Sequence, residues 1–253
     1  MPWTFSHPAV VFPIKQAKYF RWLSLPALIL GSLSPDLYYS LTWYHTAALA
    51  HDSIGWFYTG LPLCILVYCL TQKMAPALNR ISPFIIHTIN APSVRQGVIF
   101  VISLYIGALT HIVWDSFTHE SGAFVREISF LQMKLFAMSD SQEIAFYKLL
   151  QHVGSVGGLA YLCYQYFQFH RTLPHEIKIE NNKKLKRLIV LGGLACISTL
   201  PLAYWLTPKT NGFNFNRFVY LELTLTVPVF LIIVLIFAFR LNVLYQQNRI
   251  DSD

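Results

Sequence analysis

Four runs of this sequence carry no Asp, Glu, Lys or Arg over lengths that would cross hydrocarbon: residues 53–72, 96–114, 149–170 and 188–208. A helix needs about 20 apolar residues, within a range of about 17–25, to span a bilayer core. Residues 219–239 make a fifth run, interrupted only by Glu222, and residues 22–41 a sixth. The sixth contains Pro26 and Ser34-Pro35-Asp36, which predict a kinked or unwound outer end. Residues 7–19 read as a helix too short to span alone. The expected fold is an all-α, polytopic membrane helix bundle of about six transmembrane helices plus a short N-terminal helix, forming one integral membrane domain over residues 1–253.

The composition excludes other classes. Charged residues make up 12% of the chain against about 25% in soluble globular proteins, 55% of residues are hydrophobic, and the mean hydropathy is +0.45. This composition speaks against a soluble enzyme, and a disordered chain, a collagen-like repeat and a disulfide mini-protein are ruled out. Cys64, Cys69, Cys163 and Cys196 all lie in apolar stretches without a CxxC pair, and read as structural thiols. The net charge of +7 and pI near 9.2 do not indicate a nucleic-acid partner, because the basic residues are scattered along the chain.

Those residues set an orientation instead, since cytoplasmic loops hold the excess of Lys and Arg. Arg171, Lys178, Lys183, Lys184, Lys186 and Arg187 mark residues 171–187 as a basic cytoplasmic loop. Alternation from that loop places fourteen of the 19 basic residues inside. Arg126, Lys134, Lys148, Lys209 and Arg217 fall outside. An external loop is expected at residues 118–148, with a helical stretch near 141–150. The N-terminus, which lacks the pattern of a cleaved secretory signal, is expected to be retained and to lie near the outer face. The C-terminus is expected in the cytoplasm of a cell whose inner membrane holds the protein.

Histidine and aspartate are costly inside a bilayer, so their positions carry information. The motif His111-Ile-Val-Trp-Asp115-Ser-Phe-Thr-His119 ends the 96–114 run, and residues four apart share one helical face. Residues eight apart lie about 12 Å apart along the axis, whereas metal–ligand bonds are about 2.0–2.2 Å. Either the helix bends after Asp115, or Asp115 bridges two metals that use one histidine each. Hydrogen bonds between helices are the plain structural alternative. The expected topology brings further residues to the same side: Asp36 after Pro35, His51 before the second run, and His152 at the start of the run leaving the external loop. A hairpin turning at the basic stretch 15–21 returns His7 to the level of Asp36, with Thr4 or Ser6 as candidate caps of its helix. His7, Asp36, His51, His111, Asp115, His119 and His152 are therefore the candidate metal ligands or their supporting partners. Imidazole with carboxylate suits a divalent metal, zinc first, with manganese or iron as alternatives. His45, His87, His170 and His175 belong to no motif.

Several ordered motifs carry a family resemblance. Met1-Pro-Trp-Thr-Phe-Ser-His7-Pro-Ala, Gly31-Ser-Leu-Ser-Pro-Asp36, His51-Asp-Ser-Ile-Gly55 with Pro62, His111-x3-Asp115-x3-His119 and Gln151-His152-x2-Ser155 span residues 1 to about 240. Together they resemble an uncharacterised family of bacterial integral membrane proteins, domain of unknown function 4184. More distantly, the His-x3-Asp spacing is similar to that of membrane-bound metal-dependent hydrolases.

The leading functional reading is a membrane-embedded metal-dependent hydrolase. It would act on a phosphoester or lipid-linked substrate among membrane lipids at the outer face, with Glu120 as candidate general base. Divalent metals acidify bound water and neutralise phosphate charge. Two alternatives stay open. One is a transporter or channel holding a cation or relaying protons through the same His and Asp residues, and the other a non-catalytic assembly protein.

Overall fold

The computed structural model describes residues 4–89, 92–139, 142–208 and 213–250. The opening Met1-Pro-Trp, Ser141, Lys209 and the C-terminal Asp253 lie outside the described residues. In chain order, a 3-10 helix at Thr4–Val10 leads into α1 (Val11–Gln16), and a second at Lys18–Phe20 precedes α2 (Leu25–Leu33). A third 3-10 turn, Ser34–Asp36, is followed by the short α3 (Leu37–Ser40), α4 (Tyr44–Ala50) and α5 (Gly55–Tyr58). Then come α6 (Gly60–Leu78), α7 (Val94–Thr118), α8 (Ala123–Glu127) and α9 (Ser129–Gln132). A small hairpin of β1 (Lys134–Ser139) and β2 (Gln142–Ala145) precedes α10 (Phe146–Thr172), α11 (His175–Leu206) and α12 (Phe215–Ile250).

The fold is all-α apart from that hairpin. Four helical segments, Gly60–Leu78, Val94–Glu127, His175–Leu206 and Arg217–Gln247, are long and apolar enough to cross a membrane. This makes the chain a helical membrane protein. Helix α10 has 27 residues, about 40 Å, and contains the expected 149–170 run. The expected span at residues 22–41 is corrected. Its longest helix, α2, has nine residues and reaches about 14 Å, because Pro35 supplies no N–H to continue the ladder.

Two further expectations change. Helix does not begin near residue 141: Gln142–Ala145 pairs antiparallel with β1, and helix starts at Phe146, whose N–H donates to Met133 O at 2.9 Å. The basic stretch 171–187 is mostly helix rather than loop, since α11 starts at His175 directly after Pro174 and acidic Glu176 sits in its first turn. Lys and Arg are good helix formers, and Pro belongs at a helix start.

The contacts divide the chain into two compact units. The first comprises Met1–Tyr38, Trp43–Leu66 and Ala91–Arg171, and the second Tyr39–Thr42, Val67–Asn90 and Thr172–Asp253. In the first, Ala27, Trp56, Cys64, Leu104 and Ala108 form one buried cluster, and Val11, Leu23 and Leu28 another that ties the N-terminal turns to α2. In the second, α11 packs along α12, and Ala77, Ile81, Leu191, Val234 and Ala238 are buried together. The Asn79 side chain clamps Ile86, accepting from its N–H at 2.7 Å and donating to its carbonyl at 3.0 Å, while Lys184 donates to Asn79 O at 2.9 Å.

Candidate metal centre

Two glycines bring the first pair of helices unusually close. A Cβ added at Gly107 on α7 would stand 2.2 Å from Leu28 O, and one at Gly31 on α2 would stand 2.0 Å from Leu104 O. Neither helix could carry a side chain there, and small residues are what permit backbones to approach in membrane helix pairs. One turn along α7 from Gly107, the fully buried His111 ring meets the α2 backbone, and its Nδ1 lies 2.7 Å from Ser32 O. A carbonyl only accepts, so Nδ1 carries the proton and a neutral His111 turns its Nε2 lone pair inward.

The 3-10 turn after α2 presents Asp36. Ser34 Oγ donates to Gly31 O at 2.7 Å and accepts from the buried Trp56 Nε1 at 2.8 Å, which locks the turn against α5. His51 caps the C-terminal end of α4, with its Nδ1 2.8 Å from Ala47 O, so its Nε2 also points inward. The neighbouring Asp52 acts only locally. Its Oδ1 accepts from the Ile54 and Gly55 N–H groups at 3.0 and 2.7 Å and starts α5.

The N-terminal turns fold back as the hairpin predicts. Thr4 Oγ1 donates to Asp36 Oδ2 at 2.6 Å instead of capping a helix, and His7 stacks on His111 with ring centroids 3.7 Å apart. Helix α7 keeps its α conformation through Thr118 and becomes extended at His119 (φ −110°, ψ 144°), so the helix breaks after Asp115, at His119 itself.

Asp115 lies at the middle of the group. His111 Nε2 and His51 Nε2 approach its Oδ2 at 3.3 and 3.5 Å, and both also approach Asp36 Oδ1, at 3.6 and 3.3 Å. One ligand atom from each of these four residues lies within 4.8 Å of every other. Two ligands bound at about 2.0–2.2 Å and a tetrahedral angle stand about 3.3–3.6 Å apart, which is the spacing found here. Charge-assisted N–H···O bonds would be shorter, about 2.7–2.9 Å. The Nε2 of His7, the Nε2 of His111, Oδ1 of Asp36 and Oδ1 of Asp115 are all buried without a hydrogen-bond partner. Buried polar atoms are rarely left so, and carboxylates stay buried only when paired or bound to metal. The residues present therefore fit a divalent cation.

Charge is distributed unevenly between the two histidines that lie outside the spanning helices. Burial, reinforced by the adjacent His111, pushes the His7 pKa down to about 3 despite Asp115 and Asp36. Burial acts on His51 in the same sense, but the Asp115 and Asp36 carboxylates facing it outweigh it and push its pKa up to about 9. His7 is thus a neutral donor, whereas His51 holds a proton that a cation must displace.

Six of the seven expected ligands come together: His7, Asp36, His51, His111, Asp115 and His119. His152 is not among them: among the described residues no ion pair joins it to the six. Gln151 and Ser155 occupy the buried face of α10, and His152, turned about 100° from Gln151, is exposed. Glu120 is exposed beyond the end of α7, and among the described residues no ion pair or hydrogen bond joins it to the six. His45, His87 and His175 are exposed. Sequence reasoning passed over Thr4 as the partner of Asp36, and Gly31 and Gly107 as the contact that seats His111. Small residues on two apolar segments were the available signal. The carbonyls of Ser32 and Ala47 leave no trace in residue type.

The family described as Domain of unknown function (DUF4184) matches residues 1–245. No curated protein and no solved structure matches the chain.

Proposed function

The chain belongs to the DUF4184 family, and from the geometry of its His/Asp cluster we propose that it is a membrane-embedded metal-dependent hydrolase acting on a phosphoester or lipid-linked substrate. The carrying observation is the set of buried ligand atoms left without hydrogen bonds around Asp115. Asp36, His51, His111 and Asp115 would hold the ion. A divalent ion held there would lower the pKa of bound water and neutralise phosphate charge. Zinc suits two imidazoles with two carboxylates at tetrahedral spacing, and manganese or iron accept the same donors.

The chain's own groups then divide the work. The Ser32 and Ala47 carbonyls hold His111 and His51 in the tautomer that offers Nε2, and Thr4 fixes one oxygen of Asp36 so that the other faces inward. The wall is open at His51 and His119, whose side chains are 20% and 27% exposed against 0% for His111, so substrate enters past those two. The excess of Lys and Arg in residues 171–187 supports an outward-facing site in a bacterial inner membrane, with the C-terminus in the cytoplasm. A transporter reading draws on the buried Glu222 in α12, which accepts hydrogen bonds from Thr199 and Thr226.

The test is hydrolysis by detergent-purified protein reloaded with zinc or manganese and offered soluble and lipid-linked phosphoesters. Turnover should require metal and fall at least a hundredfold in Asp36→Asn, about the loss expected from removing a charged stabiliser. Metal-loaded protein that leaves the whole substrate panel intact would remove the hydrolase reading and leave the metal site standing. In intact cells, an impermeant thiol reagent should label a cysteine placed at Glu120 and spare one placed at Lys178; the reverse pattern overturns the orientation.

A further inference from the structure

The four-residue group uses only one side of the Asp115 carboxylate. Its Oδ2 faces His51 and His111, but Oδ1 faces a different pair: His119 Nδ1 at 3.5 Å and His7 Nε2 at 3.7 Å. Both Asp115 Oδ1 and His7 Nε2 are buried and lack a hydrogen-bond partner. His7 is 4% exposed, so its unpartnered nitrogen cannot be satisfied by bulk water. The His119 separation matches the edge of a coordination tetrahedron, about 3.3–3.6 Å, the His7 separation lies just beyond it, and both exceed a direct charge-assisted hydrogen bond.

We propose that His7, His119 and Asp115 Oδ1 form a second divalent-metal position, joined through the Asp115 carboxylate to the one held by Asp36, His51, His111 and Asp115 Oδ2. This rests on the metal-site reading above and deepens it. The sequence allows a bridge with one histidine on each side, and the fold supplies two on each side because His7 and His51 arrive from separate elements. His119 can turn Nδ1 toward an ion because its contact with the Asp115 carbonyl, at 3.2 Å, is long beside the 2.7 and 2.8 Å contacts that fix His111 and His51. The two positions differ in access. The first reaches the rim at His51, 20% exposed at its side chain, and is otherwise walled by Asp36 and His111 at 3% and 0%, whereas the second reaches it at His119, 27% exposed. With three protein ligands it keeps an open coordination place, the arrangement of catalytic rather than structural sites. Its ligand class is therefore an anionic oxygen, such as a phosphoester oxygen. Paired ions about 3.5–4 Å apart are the recurrent means of clamping one.

The experiment is zinc content by elemental mass analysis of the full chain in detergent, stripped and reloaded with zinc alone. It is read beside the electron paramagnetic resonance spectrum of manganese-loaded protein. The wild type should hold about two ions per chain and give the spectrum of an exchange-coupled manganese pair. His7→Ala and His119→Ala should each hold about half as much and give a mononuclear spectrum, while Asp115→Asn should lose both ions. His119 lies at the exposed rim, so His119→Ala carries the test should His7→Ala fail to fold. A single ion in the wild type, unchanged in His119→Ala and lost in His51→Ala, overturns the second position and leaves the first intact. A wild type that binds no zinc overturns both positions together.

Discussion

His7 and His111 stack their imidazole rings face to face, with centroids 3.7 Å apart and planes 15° from parallel. Two imidazolium cations would repel at that distance, so the stack requires at least one neutral ring, and burial holds His7 in that form. The contact joins the N-terminal turn to the C-terminal third of α7. A side chain from the first 3-10 helix is thereby built into the wall of a candidate site whose other candidate ligands come from later elements.

Metal binding should release protons, with a definite sign. In the metal-free protein His51 is raised from 6.5 to about 9, so its stabilising ion pairs are whole below pH 6.5 and vanish as pH rises through 9. A metal needs the neutral ring, so apparent affinity should climb by about tenfold per pH unit between 6.5 and 9. Titration calorimetry at pH 7 in two buffers of different ionisation enthalpy should count at least one proton released per chain. A count of zero would show that His51 enters the site already neutral.

Thr4→Val should weaken metal affinity by about tenfold to a hundredfold, the usual effect of removing a group that orients a metal ligand. It deletes the 2.6 Å hydrogen bond that fixes Asp36 Oδ2 and leaves every proposed ligand in place. Thr4→Ser restores the hydroxyl and should bind as the wild type. Competition with a chromophoric chelator measures both, and equal affinities in Val and Ser variants would remove Thr4 from the site.

Gly107→Ala and Gly31→Ala should each destabilise the protein by about 1–3 kcal/mol, since the added methyl meets backbone that cannot move aside. Both should also lower metal affinity by displacing His111 from Ser32 O. Gly97 on the same helix has nothing within 4 Å of the added Cβ, so Gly97→Ala should be neutral or stabilise by up to about 1 kcal/mol through helix propensity. Thermal unfolding in detergent with and without zinc separates the cases. Equal behaviour of the three variants would deny the close approach its role.

Glu222→Leu should cost about 0.5–1.5 kcal/mol for each hydrogen bond lost, because Glu222 Oε1 accepts from Thr199 at 2.7 Å and Thr226 at 3.0 Å within the second unit, while Thr199 keeps the Ala195 and Cys196 carbonyls as acceptors. Its metal content should be unchanged. Ion flux into proteoliposomes distinguishes the roles: metal-dependent flux in the wild type that disappears in Glu222→Gln would favour transport over hydrolysis.

Residue order alone makes this an all-α membrane protein, because uncharged runs of bilayer length follow from residue type and backbone hydrogen bonding leaves helix as their form. It also determined that Asp115 sits between His111 and His119, since helical spacing is local. Tertiary structure decided what local spacing cannot. Helical phase was available in Gln151 and Ser155, which mark the inner face of α10, yet a histidine's presence near a helix end did not reveal that His152 lies outside that face. The break of α2 at Pro35 was legible as a kink, but the stop that leaves Asp36 on a tight turn depends on Ser34 bonding to Trp56 from another element. Which oxygen of Asp115 meets which histidine was likewise set by contacts between elements distant in sequence. Gly31 and Gly107 let two backbones touch, and Thr4 ties the N-terminal turn to Asp36. Short-range periodicity specifies which side chains share a face, and only the packing of those faces specifies which atoms converge.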